Sequence, residues 1–220
     1  MPEAETALHT RTLYLPAVGT EGTLSVPEAA QGIVLFAHGS GSSRFSPRNT
    51  YVATALQHAG LATFLFDLLT AEEAADRAEV FDIPLLAERL LLASEVVRHD
   101  SEARDLALGY FGASTGAAAA LVAAAQAPFP VAAVVSRGGR PDLAGAALSK
   151  VQAPTLLIVG GLDGEVLSLN EVALARLRCK KDLEVVPGAT HLFEEPGTLD
   201  RVIALARCWF HHHLGGQGQA

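Results

Sequence analysis

The segment Gly112-Ala113-Ser114-Thr115-Gly116 sets one serine among small neighbours, between an apolar run ending at Phe111 and an alanine-rich stretch. A turn of that composition, after a strand and before a helix, can hold its serine in a strained geometry with the hydroxyl exposed. The helix N-terminus beneath it favours developing negative charge. Serine at neutral pH is a poor nucleophile unless a base takes its proton. On such an elbow the acid and the histidine follow the serine, in that order. Downstream of Ser114 stand His191 and the tail run His211-His212-His213. His191 follows Pro187-Gly188-Ala189-Thr190, just past an apolar run, and is the candidate base. The candidate acid is Asp163, in the turn Gly160-Gly161-Leu162-Asp163-Gly164. It would hold the imidazole tautomer and stabilise the imidazolium. Glu165 is its rival, and Asp142, which could simply cap a helix, is a weaker third.

Acyl chemistry on such a serine also needs two backbone N–H groups aimed at the developing oxyanion. One candidate is Thr115, immediately after the nucleophile. The other comes from His38-Gly39-Ser40-Gly41, with Ser40 the first choice and Gly41 the second. His38 itself is expected to be a buried hydrogen-bonding residue. Four loop arginines follow these segments: Arg44 and Arg48, then Arg137 and Arg140 in Ser136-Arg137-Gly138-Gly139-Arg140-Pro141-Asp142. Arg44, Arg137 and Arg140 are candidates for binding a substrate carboxylate bidentately. Pairing with Asp67, Asp142 or helix ends is the competing explanation. Outside the tail histidines, no residues have metal-ligand spacing.

The elements that must position these residues alternate along the chain. An opening antiparallel pair is expected near residues 13–15 and 22–26, and a fully apolar strand at 33–37. Further strands are expected at 61–66, 106–111, 131–135, 155–159 and 183–186. Continuous apolar runs suit parallel strands covered on both faces. Helices are expected at 46–59, where Pro47 fits the first helical position, and at 84–98, 115–127 and 197–212. Thr70–Glu73 and Ser168–Glu171 have capping-box form and should each open a helix. Repeated strand–helix units imply right-handed crossovers and a mostly parallel sheet of about eight strands, with helices on both faces.

At 220 residues, half of them hydrophobic and 18% charged, one domain is expected, with residues 211–220 a disordered tail. A formal net charge of -8 argues against nucleic acid or anionic lipid as partner. No run is long and apolar enough to span a bilayer. The start of the chain does not read as a secretory signal. Two cysteines, Cys179 and Cys208, suit a reducing compartment, and the expected location is the cytoplasm.

Taken in order, His38-Gly39-Ser40-Gly41, Gly112-Ala113-Ser114-Thr115-Gly116, Gly161-Leu162-Asp163 and Gly188-Ala189-Thr190-His191 span nearly the whole chain. In them the chain resembles the α/β-hydrolase superfamily, and within it the dienelactone hydrolase-related group. Dienelactone hydrolases carry cysteine where this chain has Ser114. The resemblance implies a cytoplasmic serine hydrolase acting on small esters or lactones. It implies neither metal nor organic cofactor, no separate cap domain, and a monomer or homodimer. Acyl transfer or perhydrolysis by the same triad is an alternative, as is a non-catalytic ligand-binding protein. Residues 136–154 are too few to build a lid, so an open, shallow site for short acyl groups is expected.

Overall fold

The computed structural model describes residues 7–215. Eight strands form one sheet: β1 Leu8–Leu15, β2 Thr20–Pro27, β3 Ile33–Ala37, β4 Ala62–Phe66, β5 Leu108–Ala113, β6 Ala133–Arg137, β7 Thr155–Gly160 and β8 Lys181–Val186. Their order across the sheet is β1-β2-β4-β3-β5-β6-β7-β8. β1 and β2 pair antiparallel, β2 meets β4 antiparallel, and every later pairing is parallel. The α-helices are α1 Pro47–His58, α2 Arg77–Val80, α3 Ile83–Arg98, α4 Thr115–Gln126, α5 Gly164–Arg176 and α6 Thr198–Leu214, and a 3-10 segment spans Pro141–Lys150. This is the mostly parallel sheet expected from the strand–helix alternation, in the α/β-hydrolase architecture that the resemblance implies.

Side chains of the parallel strands alternate between two buried layers, which explains why those strands read as unbroken apolar runs. Leu35, Phe64 and Tyr110 face a layer that includes Leu90 of α3 and Ala119 of α4. Phe36, Phe111 and Val135 face the opposite layer, with Val52 of α1 and Phe210 of α6. The rings of Phe36 and Phe111 stand 5.0 Å apart.

Several boundaries move from the sequence expectation. β5 and β6 each begin and end two residues later: buried Ser136 and Arg137 complete β6 although neither is apolar, and Gly112 and Ala113 pair with them to extend β5. α5 starts at Gly164, so Ser168 is not its cap; its hydroxyl donates to the Gly164 carbonyl within the helix. The Thr70–Glu73 box does form, with Thr70 N–H donating to Glu73 and Glu73 N–H to Thr70, but it opens only a 3-10 turn at Glu73–Ala75. α6 continues through Leu214, which is buried on the stripe Val202, Ala206, Phe210 and Leu214. Residues 211–214 are therefore helical and not a disordered tail, and residues 216–220 lie outside the described residues.

His38, just past β3, is buried. Its Nε2 accepts the Leu68 N–H at 3.1 Å, and its Nδ1 lies 3.1 Å from the Gly39 carbonyl. An acceptor Nε2 and a donor Nδ1 require the neutral ring. Burial lowers its pKa below the ordinary value. In α6, His213 is pushed down to about 4, by burial first and then by Lys180 and His212.

Two predictions come from this architecture. Phe210→Ala should cost about 3–5 kcal/mol, since a buried aromatic ring leaves a void that the sheet cannot collapse into; the shift in urea midpoint measures it. The second concerns acid. Both histidines bind a proton near pH 6.5 when unfolded and only at lower pH when folded. Stability should therefore fall as the pH drops below about 6.5 towards about 4, where the unfolded chain binds more protons. Urea midpoints across that range measure the fall, and His38→Gln should make it shallower.

Candidate active site

Ser114 sits between the end of β5 and the first residue of α4, with φ 51° and ψ -121°. That is a left-handed backbone which non-glycine residues adopt only where surrounding structure imposes it. The imposition comes from close packing behind the turn. A Cβ added at Gly116 would lie 2.1 Å from the carbonyl oxygen of Ala37 and 2.5 Å from that of His38. Only glycine lets the start of α4 approach the end of β3 this closely, and the approach brings the 38–41 loop against the serine.

Asp163 is the N-cap residue of α5, yet its side chain makes no capping bond. Its Oδ2 instead lies 2.7 Å from Nδ1 of His191, in the loop after β8. The aspartate side chain is 15% exposed and the histidine 37%, so the pair is partly shielded while the ring keeps one open side. Gly138, at φ 50°, makes room for the backbone of the histidine loop: a Cβ there would stand 2.8 Å from the His191 carbonyl oxygen. Glu195 fixes the same loop by accepting the Thr190 N–H at 3.1 Å and the Thr190 hydroxyl at 2.6 Å. Those bonds hold the Glu195 carboxyl below its ordinary pKa. No hydrogen bond joins Ser114 Oγ to His191 among the described residues; such contacts commonly tighten only once substrate is bound. Of the other acids considered, Asp142 is taken by Arg140, and Glu165 is exposed on the first turn of α5.

Ser40 and Thr115 face each other, with the Ser40 N–H donating to the Thr115 hydroxyl at 3.1 Å. Thr115 opens α4, so its own N–H has no helical carbonyl within reach. Beside them lies a cavity of about 430 Å³ walled by Phe45, Leu69, Ala74, Val80 and Leu86. That volume is within the range of about 300–1,000 Å³ usual for small-molecule sites. Apart from Phe45, its apolar wall comes from the segment after β4, which the sequence reading had not connected with the site. Residues 136–154 build no lid, as expected, but the site is less shallow than their length suggested.

The arginines separate sharply. Arg44 is held by Asp67 at 2.8 Å and Glu21 at 3.1 Å. Arg140 forms a bidentate pair with Asp142 at 2.9 and 2.8 Å. Both therefore make the carboxylate pairings that the sequence offered as the competing explanation for them. Arg137 is different. It is 7% exposed, and its Nε and Nη1 have no acceptor among the described residues. Burial, with the guanidinium of Arg48 nearby, pushes its pKa down to about 10. Asn170 also went unnoticed in the sequence. It is buried on α5 and donates to the Gly139 carbonyl at 3.0 Å, tying the helix behind Asp163 to the loop beneath His191. Its signal was legible as a polar residue in helical phase with Val166 and Ala173.

A dienelactone hydrolase from Anabaena variabilis has 55% sequence identity to the chain and a TM-score of 0.90, over 96% of this chain and 100% of that one. The esterase Est1E from Butyrivibrio proteoclasticus matches at TM-score 0.77 over 93% of this chain and 98% of its own, and carboxyl esterase 2 from Tuber melanosporum at 0.73 over 97% and 89%. At 13% and 16% identity these two speak for the fold alone. Two Mycobacterium tuberculosis proteins, provisionally named phosphoribosyl transferases, are 61% identical over 201 residues. The match covers 91% of this chain but 45% of theirs, so the chain spans about half the length of these curated relatives. No protein-family profile matches the chain. With that identity, over the full length of a solved relative and on the same architecture, the chain belongs to the dienelactone hydrolase-like group of the α/β-hydrolases.

Proposed function

We propose that the chain is a serine hydrolase that cleaves carboxylic esters or lactones of small substrates through an acyl-enzyme. The observation that carries this reading is the 2.7 Å contact between Asp163 and His191, on the same sheet edge as a serine in strained left-handed geometry. In this reading Ser114 Oγ attacks the carbonyl carbon while His191 Nε2 takes the hydroxyl proton. The amides of Thr115 and Ser40 receive the developing oxyanion, the second once the Thr115 hydroxyl has turned aside. The imidazolium returns its proton to the leaving alkoxide. Water then repeats the sequence on the acyl-serine and releases the acid. Asp163 keeps the Nδ1 proton in place throughout. Each role is met by side chains and amides of the chain itself.

The transferase name of the longer relatives belongs to proteins of which this chain matches less than half. The triad's chemistry is acyl transfer, with water the acceptor proposed here. A net charge of -8 supports a small-molecule substrate over nucleic acid or anionic lipid, and two cysteines suit a reducing compartment such as the cytoplasm.

The test is direct. A fluorophosphonate probe should label the wild type at Ser114 and leave Ser114→Ala unlabelled. Ser114→Ala should lower kcat on activated esters by about 10³-fold or more without unfolding the protein. His191→Ala should be about as damaging, and the double variant little worse, because the groups act as a unit. Asp163→Asn should cripple turnover while Glu165→Gln remains mild; the reverse order would assign the acid to Glu165. A folded Ser114→Ala that keeps wild-type activity overturns the reading.

The cavity beside Ser40 and Thr115 sets a second expectation. Apolar chains on the substrate should lie along Leu69, Val80 and Leu86. Each methylene buried there is worth about 0.8 kcal/mol, or roughly fourfold in kcat/KM. Val80→Trp, which fills the cavity, should lower kcat/KM by a factor that grows with chain length and is smallest for acetate esters. A uniform loss across the series would place the chain elsewhere.

A further inference from the structure

The side chain of Thr115 brings to the site a hydroxyl whose proton is unused. The residue is 2% exposed, and its Oγ1 accepts the Ser40 N–H at 3.1 Å. That is the one hydrogen bond of this side chain among the described residues. A hydroxyl has a proton to donate besides the lone pairs with which it accepts. A buried donor without an acceptor is costly, and most such groups find one. Thr20 donates to the Asp67 carbonyl, Thr155 to that of Ala153 and Thr198 to that of Glu195, all three buried like Thr115. Thr63 also only accepts, from Gln57, but it lies within β4 and does not line the cavity beside Ser40.

The cause is local. Inside a helix a threonine hydroxyl bonds back to the carbonyl three or four residues earlier. Thr115 is the first residue of α4, so those positions, Gly112 and Phe111, belong to β5. Their backbone is committed to pairing with β3 and β6. The elbow thus denies the hydroxyl its usual acceptor.

The place of this donor suits catalysis. Thr115 and Ser40 both line the cavity of about 430 Å³, and Thr115 follows the nucleophile directly. Gly39 lies so close that a Cβ on it would stand 2.9 Å from the Ser114 Cβ. The hydroxyl, the Ser40 amide and the serine are therefore gathered at one corner. We propose that the Thr115 hydroxyl is a third donor to the oxyanion, beyond the amides of Thr115 and Ser40. The proposal rests on the hydrolase reading. Before substrate arrives, the hydroxyl is the acceptor of the Ser40 amide. When the carbonyl oxygen takes that amide, the hydroxyl turns about its Cα–Cβ bond and directs its proton to the same oxygen. It keeps that proton throughout; proton transfer stays with Ser114, His191, the leaving group and water. Its bond strengthens as charge develops on the oxygen, because a charge-assisted hydrogen bond is the stronger kind.

Thr115→Val separates this role from that of a plug on the Ser40 amide. Valine keeps the branched Cβ and removes the hydroxyl. For a plug, the loss would free the amide, and kcat would hold or rise. For a donor, kcat on 4-nitrophenyl acetate should fall about tenfold or more with KM little changed. Thr115→Ser, which keeps a hydroxyl, should recover most of that loss. On O-4-nitrophenyl thioacetate, where sulfur replaces the carbonyl oxygen and accepts hydrogen bonds weakly, the loss in Thr115→Val should be clearly smaller. Melting temperatures check that the variants fold, and Thr115→Ala takes the place of Thr115→Val if the latter does not. A hydroxyl-free variant as fast as the wild type or faster overturns the third donor. Equal losses in that variant and Thr115→Ser overturn it too, as does the same loss on both substrates. Those three results leave the hydrolase reading standing when Ser114→Ala is inactive. A wild type that turns over neither substrate and stays unlabelled by the fluorophosphonate probe overturns both.

Discussion

The backbone of Gly116 lies against the carbonyls of Ala37 and His38, and the arrangement of the site depends on that contact. The first turn of α4 can descend onto the end of β3 only because no Cβ intervenes. Once it is there, the Ser114 backbone is forced to positive φ, and the Ser40 amide comes within hydrogen-bonding distance of the Thr115 side chain. A strained serine and a donor-bearing loop are thus two results of one steric constraint. The strain, of order 1–3 kcal/mol for such a backbone, is borne by a sheet whose central strands are buried on both faces.

The other half of the site is organised by a helix that goes without its cap. An aspartate at an N-cap ordinarily accepts a first-turn N–H, and that bond stabilises by about 0.5–2 kcal/mol. Asp163 forgoes it and orients His191. α5 is held in other ways, through Val166 and Ala173 in the core and through Asn170 reaching the Gly139 carbonyl. The bond from Asn170 joins α5, the helix that begins at Asp163, to the loop after β6 that packs against His191.

Much of this was legible before any coordinates. Fully apolar runs marked the central strands, because strands covered on both faces have no polar side to show. The elbow, the acid turn and the histidine loop were each readable from residue type and order. What was not legible depended on partners remote in sequence. Arg44, Arg137 and Arg140 look alike along the chain, and only folding sends two of them to carboxylates and buries the third. The end of β6 was misplaced because Ser136 and Arg137 are polar yet buried, and that of β5 because Gly112 and Ala113 were read as turn residues although they pair with them. The start of α5 was misplaced because its N-cap aspartate does not cap and Ser168 resembled one that would. The cavity wall from Leu69 to Leu86 could not be seen because it gathers residues from a loop, a 3-10 turn, α2 and the start of α3 against the 38–46 loop, a meeting that no local pattern announces.

The hydrogen bond from Ser40 to the Thr115 hydroxyl has an energetic consequence for a substrate carbonyl that arrives there. A neutral carbonyl taking the place of a neutral hydroxyl exchanges one ordinary acceptor for another, and such exchanges are nearly balanced. An alkoxide forms a charge-assisted bond roughly twice as strong. In the proposed reaction the donor is therefore already satisfied, before substrate arrives, at the level of a ground-state ligand. The surplus would appear only when negative charge develops, so under the proposed mechanism the donor would contribute little to the affinity for uncharged substrate and its full effect to the barrier.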